Sequence, residues 1–191
     1  MWDDLPSPMV LTWFVLVGSF LLTRIAEQRL DRINRNFLRL AGGEERLARL
    51  STWFYRLPVL AIIGAAVEYR WLGGDIPREL MLAAFAMVVG AWFLRLWAMS
   101  SLGWLWTLGV RSLPPGARRV VRGPYRVFAY PDYLSRAIDG CGLCLFLGSW
   151  RCALMYLAVF VPWAVRLGRE QARLLPASAG AGEVVPVDRT A

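Results

Sequence analysis

The feature that most restricts this chain is a succession of apolar runs, each close to the thickness of a bilayer, with arginine concentrated between them. The runs are Pro8 to Thr23, Trp53 to Gly73, about Glu79 to Ser100, Tyr133 to Trp150 and Cys152 to Leu167. A helix needs about 20 mostly apolar residues to cross hydrocarbon, where an open backbone cannot be satisfied. The pattern predicts an all-α polytopic membrane protein with about five transmembrane helices and one domain over residues 1–175. Apolar residues make up 57% of the 191, too many for a soluble domain of this size. The last two runs are separated by little more than Ser149-Trp150-Arg151, which predicts a tight antiparallel helical hairpin. Residues 176–191, rich in Ala, Gly, Pro and Val without apolar periodicity, read as a disordered tail.

Charge placement orients the spans. Asp3 and Asp4 precede the first run, and Arg24, Arg29, Arg32, Arg35 and Arg39 follow it. By the positive-inside rule the N-terminus lies outside the cell membrane and, after five crossings, the C-terminus is cytoplasmic. The acidic flank also argues for a retained span over a signal peptide. Ile25, Leu30, Ile33, Phe37 and Leu40 recur at helical spacings among the arginines, as in an amphipathic helix that extends the first span or lies in the interface. Gly42-Gly43 is expected to end it, and Arg95 to snorkel from the inner end of the third span.

The formal charge of +8 is spread over the segments between runs. That distribution suits anionic membrane lipids and speaks against nucleic acid as a partner. All 22 basic residues are arginine, with no Lys and no His. A lysine Schiff base, a histidine general base and a His-ligated metal are therefore excluded. Cys141, Cys144 and Cys152 lie in or beside apolar runs, and Cys141-Gly-Leu-Cys144 reads as two small side chains on one helix face, not as a metal or redox pair.

Two polar stretches mark where chemistry belongs. One closes the long loop from about Ser101 to Pro131 and enters the fourth span, from Gly123-Pro124-Tyr125-Arg126 to Tyr133; the other, Arg166 to Gln171, leaves the fifth. A hairpin of those spans must bring the two together just inside the membrane, where a cytosolic ligand and a lipid can both arrive. Each residue also has a plainer role. Loop arginines meet phosphates, Tyr125, Tyr130 and Tyr133 suit an interface, and Glu170 stands four residues from Arg166, within pairing distance on a helix. Arg136 and Asp139, one turn apart inside the fourth span, are costly in hydrocarbon and are expected to pair with each other, facing protein or a wet cavity.

As a set, several motifs resemble the isoprenylcysteine carboxyl methyltransferase family, especially its small bacterial members. They are Arg95-Leu-Trp97-Ala98, Leu102-Gly103, Trp106-Thr107, Pro115-Gly116, Gly123-Pro124-Tyr125-Arg126, Tyr133-Leu134 and Leu147-Gly148-Ser149-Trp150. Upstream, Glu27-Gln-Arg29-Leu-Asp31-Arg32-Ile-Asn34 is similar to the polar segment after the first span in the bacterial branch. The resemblance implies a helical membrane methyltransferase that binds S-adenosylmethionine near the cytosolic face and methylates the carboxylate or hydroxyl of a lipid-like acceptor. It implies cofactor contacts from Tyr125, Arg126, Tyr130, Pro131, Asp132, Tyr133, Arg166 and Glu170, with Arg126 and Glu170 catalytic and Arg136 and Asp139 toward the acceptor. Methyl transfer needs alignment and desolvation more than acid–base groups.

The chain departs from the family pattern at two places. Ala129-Tyr130-Pro131-Asp132-Tyr133 stands where the family has Arg-His-Pro-Asn-Tyr, and Gln171 follows Glu170 where paired glutamates are usual. Two other readings stay open: a non-catalytic relative holding a lipid or protein partner in the same cavity, and a membrane reductase using NADPH. The charge asymmetry makes a direct prediction. A reporter fused after Leu175 should be cytoplasmic and one placed before Trp2 external, and finding both termini on one side would refute an odd number of crossings.

Overall fold

The computed structural model describes residues 8–40, 45–46, 48–73, 76–108, 110–111 and 122–174. Asp3 and Asp4, Gly42-Gly43, Gly74-Asp75, the loop segment with Pro114-Pro115-Gly116, Arg118 and Arg119, and the tail at 176–191 lie outside the described residues.

Five α-helices carry the described chain: α1 (Pro8–Leu40), α2 (Ala48–Leu72), α3 (Arg78–Leu102), α4 (Pro131–Phe146) and α5 (Trp150–Leu174). Helices α1, α3 and α5 are each long and apolar enough to cross a membrane. The expected all-helical membrane architecture is what the chain adopts. A single short strand pair, Glu45–Arg46 against Val110–Arg111, ties the segment after α1 to the segment after α3.

Helix α1 shows why the first apolar run and the arginine-bearing stretch form one element. Its inward stripe is Trp13, Leu16, Phe20, Arg24, Glu27, Asp31, Asn34 and Leu38, all buried at spacings of three and four. Leu11, Phe14, Val15, Leu22, Ile25, Ile33, Phe37 and Leu40 are exposed on the other side. The outer face is thus apolar from end to end, while the inner face changes from apolar to charged at Arg24. At 33 residues the helix is about 50 Å long, well beyond a hydrocarbon core of about 30 Å. The extension of the first span is therefore realised, with its polar side turned to the protein and its apolar side outward.

Helix α4 is the centre of the bundle. It has only 16 residues and is buried through most of its length, packing on α3 above all and also on α5, α2 and α1. Close approach depends on glycine. A Cβ on Gly142 would stand 2.9 Å from Val88 Cγ2 and 3.2 Å from the Ala84 carbonyl oxygen, and one on Gly140 would lie 2.5 Å from the Tyr156 ring. Small residues at such contacts let helix backbones approach where lipid supplies no hydrophobic drive.

The hairpin is as tight as its sequence implies. After Phe146 the chain turns through Leu147, Gly148 and Ser149, with Gly148 at φ 77°, a conformation that favours glycine. The Gly148 amide donates to the Leu145 carbonyl at 2.9 Å and the Ser149 amide to Cys144 at 3.1 Å, closing α4. On α2, Glu68 accepts from the Cys152 amide at 2.9 Å, so a carboxylate sits at the positive end of α5.

The tight Gly140 contact predicts that Gly140→Ala lowers stability by about 1–3 kcal/mol, the usual cost of overpacking a filled core. Thermal unfolding in detergent measures it, with Gly90→Ala, where an added Cβ meets nothing within 4 Å, as the neutral control.

Candidate functional site

At the open end of the hairpin, opposite its turn, the first turn of α4 meets the last turns of α5. The Tyr130 hydroxyl donates to the Gly168 carbonyl at 2.7 Å, and the Tyr133 hydroxyl donates to Gln171 Oε1 at 3.2 Å. The two tyrosine rings stack on each other with centroids 5.5 Å apart and planes 15° apart. Tyr130 lies so close over Gly168 that a Cβ there would be 3.1 Å from its ring. The two polar stretches separated by about forty residues in sequence therefore form one surface.

The segment leading into α4 is fixed to α3. A 3₁₀ turn, Gly123–Arg126, packs on the end of α3, and Arg122 Nε donates to the Ser101 carbonyl at 2.9 Å. Gly123 has φ 60°, and a side chain there would overlap the Ser101 hydroxyl. Tyr125, in this turn, is half-buried; burial above all, and the nearby Asp132 carboxylate next, push its phenol far above the ordinary value. It is a protonated hydroxyl throughout the range in which the protein is folded. Arg126 and Arg166 are exposed, and Glu170 is half-buried.

Behind this surface lies a buried ionic cluster drawn from three helices. Arg24 and Glu27 come from α1, Arg95 from α3, and Asp132, Arg136 and Asp139 from α4. Arg136 forks onto Asp132, with Nε 3.0 Å from Oδ2 and Nη2 3.2 Å from Oδ1, and its Nη2 also reaches Glu27 Oε2 at 3.3 Å. Asp139 Oδ2 accepts from Arg95 at 2.9 Å and Arg24 at 3.3 Å, and its Oδ1 from the Trp92 indole at 3.2 Å. Arg24 closes the circuit on Glu27 Oε2 at 2.7 Å. On the flank of Arg136 the Tyr55 ring sits with its centroid 4.3 Å from the guanidinium carbon. One turn further along α1, Asp31 pairs with Arg35 and accepts from the Leu108 amide at 2.8 Å, and Asn34 donates to the Trp106 carbonyl at 2.7 Å. The stretch after α3 is thereby clamped to α1.

Three expectations need correction. Arg136 and Asp139 do not pair with each other; Asp132 and Glu27 satisfy the first, Arg24 and Arg95 the second. Each finds an opposite charge nearer than the other on a facing helix or in the preceding turn. Arg95 does not snorkel but is 3% exposed, because α4 faces it with Asp139 and Ser135. Glu170 pairs with Arg173 at 2.8 Å, not with Arg166. Arg24, Glu27 and Arg95 are the members that sequence reasoning did not place among candidate site residues. Their signal was the continuation of the Trp13, Leu16, Phe20 stripe at unchanged spacing through Arg24, Glu27 and Asp31.

Comparison with known proteins adds the family context. The model of the isoprenylcysteine carboxyl methyltransferase (ICMT) family matches residues 82–176. The match contains α3, α4, α5 and both stretches of the open end. The chain is similar to the uncharacterized protein YpbQ of Bacillus subtilis (strain 168), 23% identical over 121 residues that cover 63% of this chain and 71% of that protein. No solved structure matches it.

Removing one partner from a buried ion cluster leaves uncompensated charge. Asp139→Ala strands Arg24 and Arg95 together and should cost about 3–5 kcal/mol in stability, against less than about 1 kcal/mol for Glu170→Ala, whose ion pair is with an exposed arginine. Denaturant or thermal unfolding of the two variants in one detergent checks the contrast.

Proposed function

From the premise that the chain belongs, through residues 82–176, to the isoprenylcysteine carboxyl methyltransferase family, we propose that it is an S-adenosylmethionine-dependent membrane O-methyltransferase acting on a lipid-like acceptor. The observation that carries this reading is the meeting of the α4 entry with the α5 exit through Tyr130 and Gly168, which makes one site of two polar stretches inside the matched region. The proposal includes five crossings with the N-terminus outside and the C-terminus, hence this site, on the cytoplasmic side.

The donor set suits the cofactor's charges. Exposed Arg126 and Arg166 offer guanidiniums for its carboxylate, Glu170 a carboxylate for its cationic groups, and half-buried Tyr125 a ring face and a protonated hydroxyl for the purine. S-adenosylmethionine supplies the methyl group when bound. In this reading Pro131 and Tyr133 set the start of α4, Arg126 and Glu170 border the reacting centre, and Arg136 and Asp139 belong to the acceptor side. Water exclusion and alignment are then the protein's main contributions.

A second reading has an observation in its favour. The Tyr130 hydroxyl is engaged by Gly168 and both oxygens of Asp132 by Arg136, so two positions of the cofactor segment serve the fold. That suits a non-catalytic relative holding a lipid or a partner protein.

Calorimetry on detergent-solubilised protein decides between them. Wild type should release or absorb heat with S-adenosylmethionine, and Arg126→Ala and Glu170→Ala should each weaken binding by about one to two decades, the effect of one lost charge-assisted contact. No heat at about 1 mM cofactor, where the binding free energy would be only about −4 kcal/mol, would sink the transferase reading. Heat with NADPH instead would indicate a reductase.

A further inference from the structure

The buried cluster is closed in charge but open in hydrogen bonding. Among the described residues three guanidiniums, of Arg24, Arg95 and Arg136, face three carboxylates, of Glu27, Asp132 and Asp139, all of them buried. Both oxygens of Asp132 and of Asp139 accept hydrogen bonds, as does Glu27 Oε2. Glu27 Oε1 has no hydrogen-bond partner, and neither do Arg95 Nη1, Arg24 Nε or Arg136 Nη1. Glu27 Oε1 and Arg95 Nη1 stand 3.5 Å apart, an ion pair without a hydrogen bond. Buried polar atoms of this kind are costly unless something completes them.

The unmet groups define their complement. They ask for one O–H donor, to Glu27, and for oxygen lone pairs, toward the guanidinium N–H groups. They do not ask for charge, because a carboxylate entering a three-against-three cluster would leave one negative charge uncompensated at low dielectric. We propose that the Glu27–Arg95 edge receives the uncharged hydroxyl of a lipid-like acceptor, of the phenol or enol class, and that the cluster selects this headgroup over a carboxylate. The hydroxyl donates to Glu27 Oε1 and accepts from Arg95 Nη1. This rests on the transferase reading for its role, and it assigns Glu27 and Arg95, outside the cofactor segment, to acceptor choice.

The experiment measures binding alone, without cofactor, by fluorescence titration of wild-type protein in lipid nanodiscs with three probes of equal chain length: a para-alkylphenol, its methyl ether and the para-alkylbenzoate. The phenol should bind about tenfold or more tighter than the ether, which lacks the donor, and tighter than the benzoate. Glu27→Gln leaves three guanidiniums against two carboxylates, so the order should reverse and the benzoate should bind more tightly than the phenol. Asp139→Asn makes the same change of charge and should reverse it too if Glu27→Gln does not fold. A lesion that merely loosened the bundle would weaken all three probes together. Benzoate bound tighter than phenol by wild type, or no reversal in a folded variant, would overturn the inference. Loss of cofactor binding in the calorimetry above, with the probe order intact, would instead remove the transferase reading and leave the hydroxyl site standing.

Discussion

The ion pairs of Asp139 and Arg136 hold together parts of the chain that nothing else joins as firmly. Asp139 gathers Arg24 of α1 and Arg95 of α3 onto α4, while Arg136 gathers Glu27 of α1 and fixes Asp132 at the start of α4. In a lipid environment charges of this kind are tolerated only if they are mutually satisfied inside the bundle. Helix rotation follows from that demand, since a turn of α1 about its axis would carry Arg24 and Glu27 into hydrocarbon. The outward apolar face of α1 and its inward charged face are consequences of one constraint.

The same cluster gives the open end of the hairpin a stiff foundation. Tyr130 and Tyr133 are held from the α5 side by Gly168 and Gln171. Between them Asp132 is held from within by Arg136, which is in turn held by Glu27. Surface residues such as Arg126 and Arg166 are thus mounted on backbone that has little freedom, a favourable arrangement for a reaction governed by alignment.

Much of this was legible in the sequence. Apolar run lengths yield the helices, and the short separation at Ser149-Trp150-Arg151 yields the hairpin and hence the meeting of Tyr130 with the α5 exit. The ion partners were less accessible, because run length says nothing about which way a helix is rotated. Arg95 is near enough to a helix end to reach water, and only the presence of Asp139 on the facing helix decides that it does not. Arg136 and Asp139 stand at the spacing of a helical pair, yet three-dimensional neighbours outbid the local one. The face at Arg24, Glu27, Asp31 and Asn34 could have been found by extending the stripe begun at Trp13; the exposed Ile25, Ile33 and Phe37 drew attention to the opposite side.

The arrangement of α1 bears on how the protein is put together in the membrane. Glu27 is synthesised 109 residues before its partner Arg136, and Arg24 is 115 residues ahead of Asp139. While the chain emerges, the inner half of α1 therefore carries buried-type charges with no protein to receive them, and these must wait at the headgroup level. Helix α1 reaches its final depth and rotation only when α4 arrives, so the first helix to be inserted is among the last to be seated. A truncated chain ending before α4 would hold its first helix shallower in the bilayer than the complete protein does.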